Sequence, residues 1–241
     1  MASPDARLVH DLAPTGVLRA SLNLGNPVLA QGTPEEPSGI TVDLAREVAA
    51  RLGVPVRFLC FDAARKSYAA MAEGHADLCF LAVDPDREKE VAFTPPYVHI
   101  EGVYAVPVDS GFGTAGDVDR EGVRVGVKKG SAYDLHLTRA LRHATVVRGE
   151  EGVDVFHAED LDVAAGIRQP LTAHVARHPG LRLLEPAFMT IRQAVGTTRE
   201  RRPETIRRLG ELVTGLVASG FVATSLARSH QDPALAAPVP V

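Results

Sequence analysis

Three groups of residues in this chain have types and spacings that could do chemistry. Gly111-Phe-Gly113-Thr-Ala-Gly116 fits GxGxxG, in which glycines let the backbone approach a pyrophosphate where a helix begins. Asp117 to Gly122 leaves room for barely one helical turn before the next strand, so a flexible loop is expected there rather than a dinucleotide site. His174 and His178 stand at i, i+4 on a predicted helix, a spacing that can hold zinc on one face. No glutamate lies between them as in HExxH, so a solvated helix face is expected and no metal is assigned. No GxSxG occurs and Ser131 has no evident partner base, which leaves no catalytic residue to assign.

The third group is more informative. In Val127-Lys128-Lys129-Gly130-Ser131-Ala132-Tyr133-Asp134 a strand ends, a glycine turns and Ser131 caps a helix. Free backbone N–H groups and the positive end of the helix dipole favour an anion at such a point. The carboxyl end of a strand in an open α/β sheet is also where ligands collect. The alternative is a plain N-cap.

The elements that would position these residues alternate between short β-branched runs and helical patterns, which predicts an α/β fold. Strands are expected at 17–22, 54–60 and 77–82, with helices at 42–52, ended by Gly53, and at 63–73. The pattern resets after Phe93-Thr-Pro-Pro-Tyr97, with a strand at 101–107 and a polar, glycine-rich stretch from Asp109 to Gly122 that marks a candidate crossover between domains. A second α/β set follows through helices at 131–142, 150–158 and 169–177. A strand at 190–196 returns to helices at 203–218 and 221–228.

Composition narrows the function classes. With 241 residues, 45% hydrophobic and 23% charged, and a net charge of −4, the chain reads as a soluble globular protein of one large or two small domains. It contains no apolar run long enough to span a membrane, and its mildly acidic balance argues against nucleic acid as the main partner. Met1–His10 lacks the apolar stretch and cleavage site of a secretory leader, so a cytoplasmic location is expected if the chain is full length. Cys60 and Cys79 fit no metal-ligand spacing and are read as two buried free thiols.

Several motifs together resemble the family 3 extracellular solute-binding proteins, the substrate-binding components of polar amino-acid type ABC importers. Gly39-Ile-Thr-Val-Asp43-Leu-Ala45 through Arg51-Leu-Gly53 resembles the family's G-f-x-v-D-L-a helix, and Gly74-His-Ala-Asp77 its G-k-x-D. Asp86-Arg87 through Val91-Ala-Phe93-Thr94 and Pro96-Tyr97 resembles T-x-x-R…v-x-F-s-x-P-Y, and Gly130-Ser131 its G-S/T. The resemblance runs from about Leu12 to Ser229. It implies a type II periplasmic-binding-protein-like α/β fold with two crossover strands, lobe 1 from 12–105 plus 197–229 and lobe 2 from 106–196, while the proline- and alanine-rich composition of 230–241 predicts a disordered tail. Ligand would bind between lobes that close on it.

The resemblance implies that Arg87 forks onto a ligand carboxylate, with Ser131 and the Gly130–Ala132 backbone amides holding the same group. Asn23 and Asn26 would add neutral hydrogen bonds. Three departures from the family pattern shape the ligand expectation. Asn26-Pro27-Val28 offers no aromatic to sandwich an aliphatic chain, and the loop Leu81 to Asp86 before the arginine is short. The acid that usually meets a ligand ammonium is replaced by Arg168-Gln169. Of four lysines, Lys66, Lys128 and Lys129 align near the cleft mouth, so a locally basic cleft is expected. Arg168, with Lys66 or Gln169, would then meet the far end of an anion, the alternative being that Arg168 turns away to pair with Glu159 or Asp160.

The expected function is therefore capture of a small organic anion, a carboxylate or dicarboxylate before a standard amino acid, for ABC-type import. The expected protein is a non-enzymatic monomer without cofactor, extracytoplasmic by resemblance, with an ABC permease as partner. Two alternatives are a cyclohexadienyl (prephenate or arogenate) dehydratase-like enzyme and a cytoplasmic sensor without a transporter. The enzyme would need a general acid that the Arg168 position does not supply.

Overall fold

The computed structural model describes residues 6–239. The chain divides into two compact units, unit 1 from Met1–His99 with Arg192–Val241 and unit 2 from Ile100–Ile191. Unit 1 begins with α1 (Ala6–Leu12), β1 (Leu18–Asn23) and a short ladder of β2 (Gln31–Gly32) with β3 (Pro37–Ser38). It continues through α2 (Ile40–Leu52), β4 (Val56–Phe61), α3 (Ala64–Ala72) and β5 (Leu78–Ala82). A long strand, β6 (Val91–Pro107), leads into β7 (Arg124–Lys128), α4 (Ala132–Ala140), β8 (Thr145–Gly149), α5 (Gly152–Ala158) and β9 (Val163–Ile167). After α6 (Arg168–Arg177) and β10 (Leu181–Leu183), β11 (Met189–Thr198) returns the chain to α7 (Pro203–Ala218) and α8 (Phe221–Arg228).

Each unit has its own parallel core. In unit 1, β1 lies between β4 and β5 and runs parallel to both, while β11 joins β5 antiparallel through Gln193–Gly196. In unit 2, β7 lies between β8 and β9, again parallel to both, and β9 pairs antiparallel with β6. Parallel neighbours require crossover connections, which α2, α3, α4 and α5 provide. The crossover helix α2 shows why these residues fold so: Val42, Ala45, Val48, Ala49 and Leu52 recur at helical spacing and are all buried. Gly53 adopts φ 67°, and its N–H donates to the Ala49 and Ala50 carbonyls to close the last turn.

The boundaries between units fall inside β6 and β11, at 99/100 and 191/192, rather than at the expected 105/106 and 196/197. Sequence reading placed the first break where composition changes, whereas the chain passes from one unit to the other within unbroken strands whose composition does not change there. The sequence pattern also hides the first half of β6, because Pro95 and Pro96 interrupt it. Unit 2 is entered and left at adjacent backbone positions, since the Phe188 N–H donates to the Gly102 carbonyl at 3.0 Å. A Cβ on Gly102 would lie 2.7 Å from Met189 Cγ and 2.9 Å from Phe188 Cζ, so a larger residue there would force those side chains to move.

Two motif aspartates join the separated segments of unit 1. Asp77, fully buried, accepts from Arg19 Nε at 2.9 Å, Arg19 Nη2 at 2.8 Å and Arg201 Nη2 at 2.9 Å. Asp43 accepts from Ser225 Oγ at 2.5 Å and Arg228 Nη2 at 2.8 Å. Their role is therefore to hold the first segment against the last. The expected disordered tail is a correction: Pro233–Leu235 forms a 3₁₀ turn, Ala236 bridges Val98, and the Ala237 N–H donates to the Tyr97 carbonyl at 2.9 Å. Backbone groups of Tyr97 and Val98 in β6 supply partners that composition does not reveal. The remainder of that tail, 240–241, and Met1–Asp5 of the segment read for a leader lie outside the described residues.

Cys60 and Cys79 are free thiols. They lie on β4 and β5, opposite Leu22 and Ser21 of the intervening β1, so roughly two strand spacings of ~4.8 Å separate them, beyond disulfide reach. Burial pushes the Cys79 thiol up to about 12, while Cys60 is only half-buried, a correction to the expectation of two buried thiols. Among the described residues, no single helix is long and apolar enough to cross a membrane.

Candidate functional site

In unit 1 the parallel register aligns the carboxyl ends of β1, β4 and β5, so the segments that follow them emerge at one edge of the sheet. The segment after β1 carries Asn23 and Asn26, α3 after β4 carries Lys66, and the turn after β5 carries Asp84 and Arg87. Both asparagines are used locally: Asn23 Oδ1 accepts from the Gly25 N–H at 3.1 Å and Asn26 Oδ1 from the Val28 N–H at 3.2 Å. These bonds shape the loop after β1 as successive Asx turns. Lys66 Nζ donates to Asp62 Oδ2 at 2.8 Å, so its charge is matched one helical turn away.

Arg87 opens the 3₁₀ turn Arg87–Lys89 and is only 3% exposed. Its Nη1 donates to the Ala82 carbonyl at 3.1 Å, which anchors the guanidinium to the last residue of β5. Burial pulls its pKa below the usual arginine value, and the buried Asp84 carboxylate opposes that fall. Asp84 in turn shapes the turn, its Oδ1 accepting from the Asp86 N–H at 2.9 Å. A guanidinium so held keeps its charge and a fixed direction, the condition for forked recognition of a carboxylate.

In unit 2 the carboxyl ends of β7, β8 and β9 are likewise aligned. There they gather Lys128, the Gly130-Ser131-Ala132 turn, Glu151, Arg168 and Gln169. Ser131 caps α4, its Oγ accepting from the Asp134 N–H at 3.0 Å. Asp134 Oδ2 accepts from the Gly130 N–H at 2.8 Å, and the Ser131 N–H donates to the Lys128 carbonyl at 3.1 Å. Two of the three amides expected to cradle a ligand anion are therefore hydrogen-bonded within the turn. Arg148 Nε also meets Asp134 at 2.9 Å, so a carboxylate of the chain itself sits at this helix start. What looked from sequence like a plain choice between anion site and N-cap is an N-cap reinforced by its own acid.

The cations expected to make the site basic are paired with carboxylates inside their own units. Lys128 Nζ pairs with Glu151 Oε1. Arg168 pairs with Glu101 through Nε and grips Glu185 with both Nη atoms, at 2.5 and 2.9 Å. Glu159 and Asp160 do not engage it; their carbonyls accept from Arg124. One guanidinium between two carboxylates leaves a formal excess of one negative charge where sequence predicted a positive end. The pairing raises the Arg168 pKa and holds the Glu185 carboxyl below its usual range, first through the hydrogen bonds between them. Gln169 beside it has a buried Oε1 that accepts no hydrogen bond. Glu101, Glu151 and Glu185 escaped sequence reasoning, since Glu101 and Glu185 come from elements far along the chain from Arg168. In the glycine-rich loop, expected to be flexible, Asp117 Oδ2 accepts from the Gly113 and Thr114 N–H groups at 3.0 and 2.8 Å and the 3₁₀ turn Ala115–Val118 follows.

Two parallel α/β units, the second inserted into the first, with polar residues gathered at the carboxyl ends of the strands, define a binding protein of the type II periplasmic class. Residues 23–231 match the family described as bacterial extracellular solute-binding proteins, family 3. The chain belongs to that family. Among solved structures, a mutant of ArgBP from T. maritima is 21% identical with a TM-score of 0.75, covering 92% of this chain and 99% of that one. Cysteine-binding protein from Campylobacter jejuni is 18% identical with a TM-score of 0.75, covering 92% of each chain. The ancestral amino acid-binding protein AncCDT-1, a precursor of cyclohexadienyl dehydratase, is 18% identical with a TM-score of 0.72, covering 91% of this chain and 98% of that one. A search of the curated proteins found no match.

Proposed function

We propose that this solute-binding protein takes a small polar ligand bearing a carboxylate, of amino-acid-like rather than dicarboxylate character, and delivers it to an ABC permease outside the cytoplasm. The observation that carries the reading is Arg87, a 3% exposed guanidinium anchored at the carboxyl end of β5. It supplies the fork for the ligand carboxylate, with the remaining donors of the Ser131 turn, Asn23 and Asn26 as secondary contacts. The far end of the ligand is read by the Arg168 cluster. Its excess carboxylate and the unpaired Gln169 acceptor favour a donor such as an ammonium, and a second carboxylate would meet Glu101 and Glu185. Arginine-bound ArgBP and cysteine-binding protein are neighbours in fold whose ligands have this bipolar character.

Catalysis is not part of this reading. Dehydration of prephenate needs a general acid at the reacting hydroxyl, and the position that would hold it carries Arg168, already committed to two carboxylates.

A thermal-shift screen of amino acids, dicarboxylates and monocarboxylates tests the proposal. A ligand at about 100 times its Kd adds ~2.7 kcal/mol, which for a chain of this size raises Tm by roughly 5–10 °C. The expected hit is an amino acid, lost in Arg87→Met. Stabilisation by dicarboxylates alone would restore the anion reading, and phenylpyruvate formed from prephenate would replace binding by catalysis.

A further inference from the structure

Away from the solute-binding residues, three histidines of unit 2 meet at the far end of α6. His174 and His178 come from that helix and its C-cap, and His157 from α5. Their ligand-capable nitrogens all lie within 4.8 Å of one another. His157 Nε2 is 3.1 Å from His174 Nε2, and the rings of His174 and His178 stack with centroids 4.0 Å apart and planes 17° from parallel. Arg168 begins the same helix, so ten residues at ~1.5 Å each place the cluster roughly 15 Å from the solute-binding end.

We propose that His157, His174 and His178 form a binding site for a divalent transition metal ion of the zinc, cobalt, nickel or copper class. Three arguments carry it. Imidazole nitrogens bind such ions at ~2.0–2.1 Å, so two ligands of a tetrahedral ion stand roughly 3.3 Å apart. The His157–His174 pair is already near that separation, and a nitrogen of His178 lies within 4.8 Å of both. The second argument is tautomeric. His178 Nδ1 lies 2.8 Å from the His174 carbonyl oxygen, which can only accept, so Nδ1 carries the hydrogen and Nε2 presents its lone pair. The same bond fixes the ring plane, the arrangement in which metal-binding histidines are usually held.

The third argument is electrostatic. The cluster sits at the C-terminal end of α6, where the helix dipole favours a cation. Asp154, one turn before His157 on α5, is the carboxylate that acts on His174, and Arg177 is the opposing cation. With His157 and His178 exposed and His174 half-buried, a bound ion keeps water on its remaining positions.

The experiment uses the full chain without an affinity tag, titrated with Co²⁺ alone and followed by its visible ligand-field bands, with Zn²⁺ competition to measure affinity. Saturation at one ion per chain, displaced by Zn²⁺, is expected. His157→Gln and His178→Gln should each weaken binding by at least the ~10–100-fold that loss of an outer partner costs a metal site. The variant lacking all three histidines should show no saturable bands. Bands that persist in that variant, half an ion per chain, or no saturation in the parent would each overturn the proposal. Circular dichroism and the thermal midpoint without metal check that the variants fold, two of the three positions being exposed and His174 half-buried.

Discussion

Arg87 and Arg168 occupy equivalent places in the two units, each just beyond the carboxyl end of a parallel strand, yet their environments are opposite. Arg87 is buried, anchored to the Ala82 carbonyl, and lies beside the buried acid Asp84. Arg168 is partly exposed and grips two carboxylates. A guanidinium is costly to bury, and that cost is offset only where acceptors and opposite charge surround it. At the surface the same group is a low-cost organiser of neighbouring acids. The lesson is that an arginine at a strand end does not by itself make a site positive; the number of carboxylates around it decides the sign.

The largest expected effect is at the buried member of the pair. Arg87→Ala removes the donor to the Ala82 carbonyl and the positive charge beside the buried Asp84 carboxylate, and urea denaturation should register a loss of about 3–5 kcal/mol. Arg87→Lys should recover only part of this, because an ammonium cannot reproduce the planar fork. A loss below ~1 kcal/mol would erase the contrast with Arg168. Next in size is Ser131→Ala, which removes the hydroxyl that accepts from the Asp134 N–H and should cost about 1 kcal/mol by the same measurement. Smallest in stability is Arg168→Gln, expected within ~1 kcal/mol of the parent because its two pairs are exposed. Calorimetry should nonetheless find that it binds a cationic or zwitterionic ligand more tightly, since Glu101 and Glu185 are released. Weaker binding would show that Arg168 itself touches the ligand.

The same contrast explains what could be read from sequence. The parallel α/β elements were legible because their periodicity is local: the buried positions of α2 and the glycine that ends it lie within one stretch of chain. Arg87 was legible because its neighbours form a compact motif. Arg168 was visible, but Glu101 lies 67 positions away on β6, and no local spacing encodes that meeting. Asp43 and Asp77 were noticed as motif letters, while their partners Arg201, Ser225 and Arg228 belong to the returning segment and gave those letters their meaning. The histidine cluster follows the same rule. His174 and His178 share a helix and could be paired on paper, but His157 arrives from α5 only through folding.

The backbone bond from Phe188 to Gly102 has a bearing on ancestry and engineering. A stretch of chain that departs and comes back through neighbouring hydrogen-bonded residues can be cut out with its ends already in register. Genetic exchange of 100–191 between relatives would then need no new linker, because Gly102 and the Phe188 that bonds to it both travel inside the exchanged piece. The acidic cluster around Arg168 would travel whole with such a transplanted cassette, while the buried Arg87 stayed behind in the recipient.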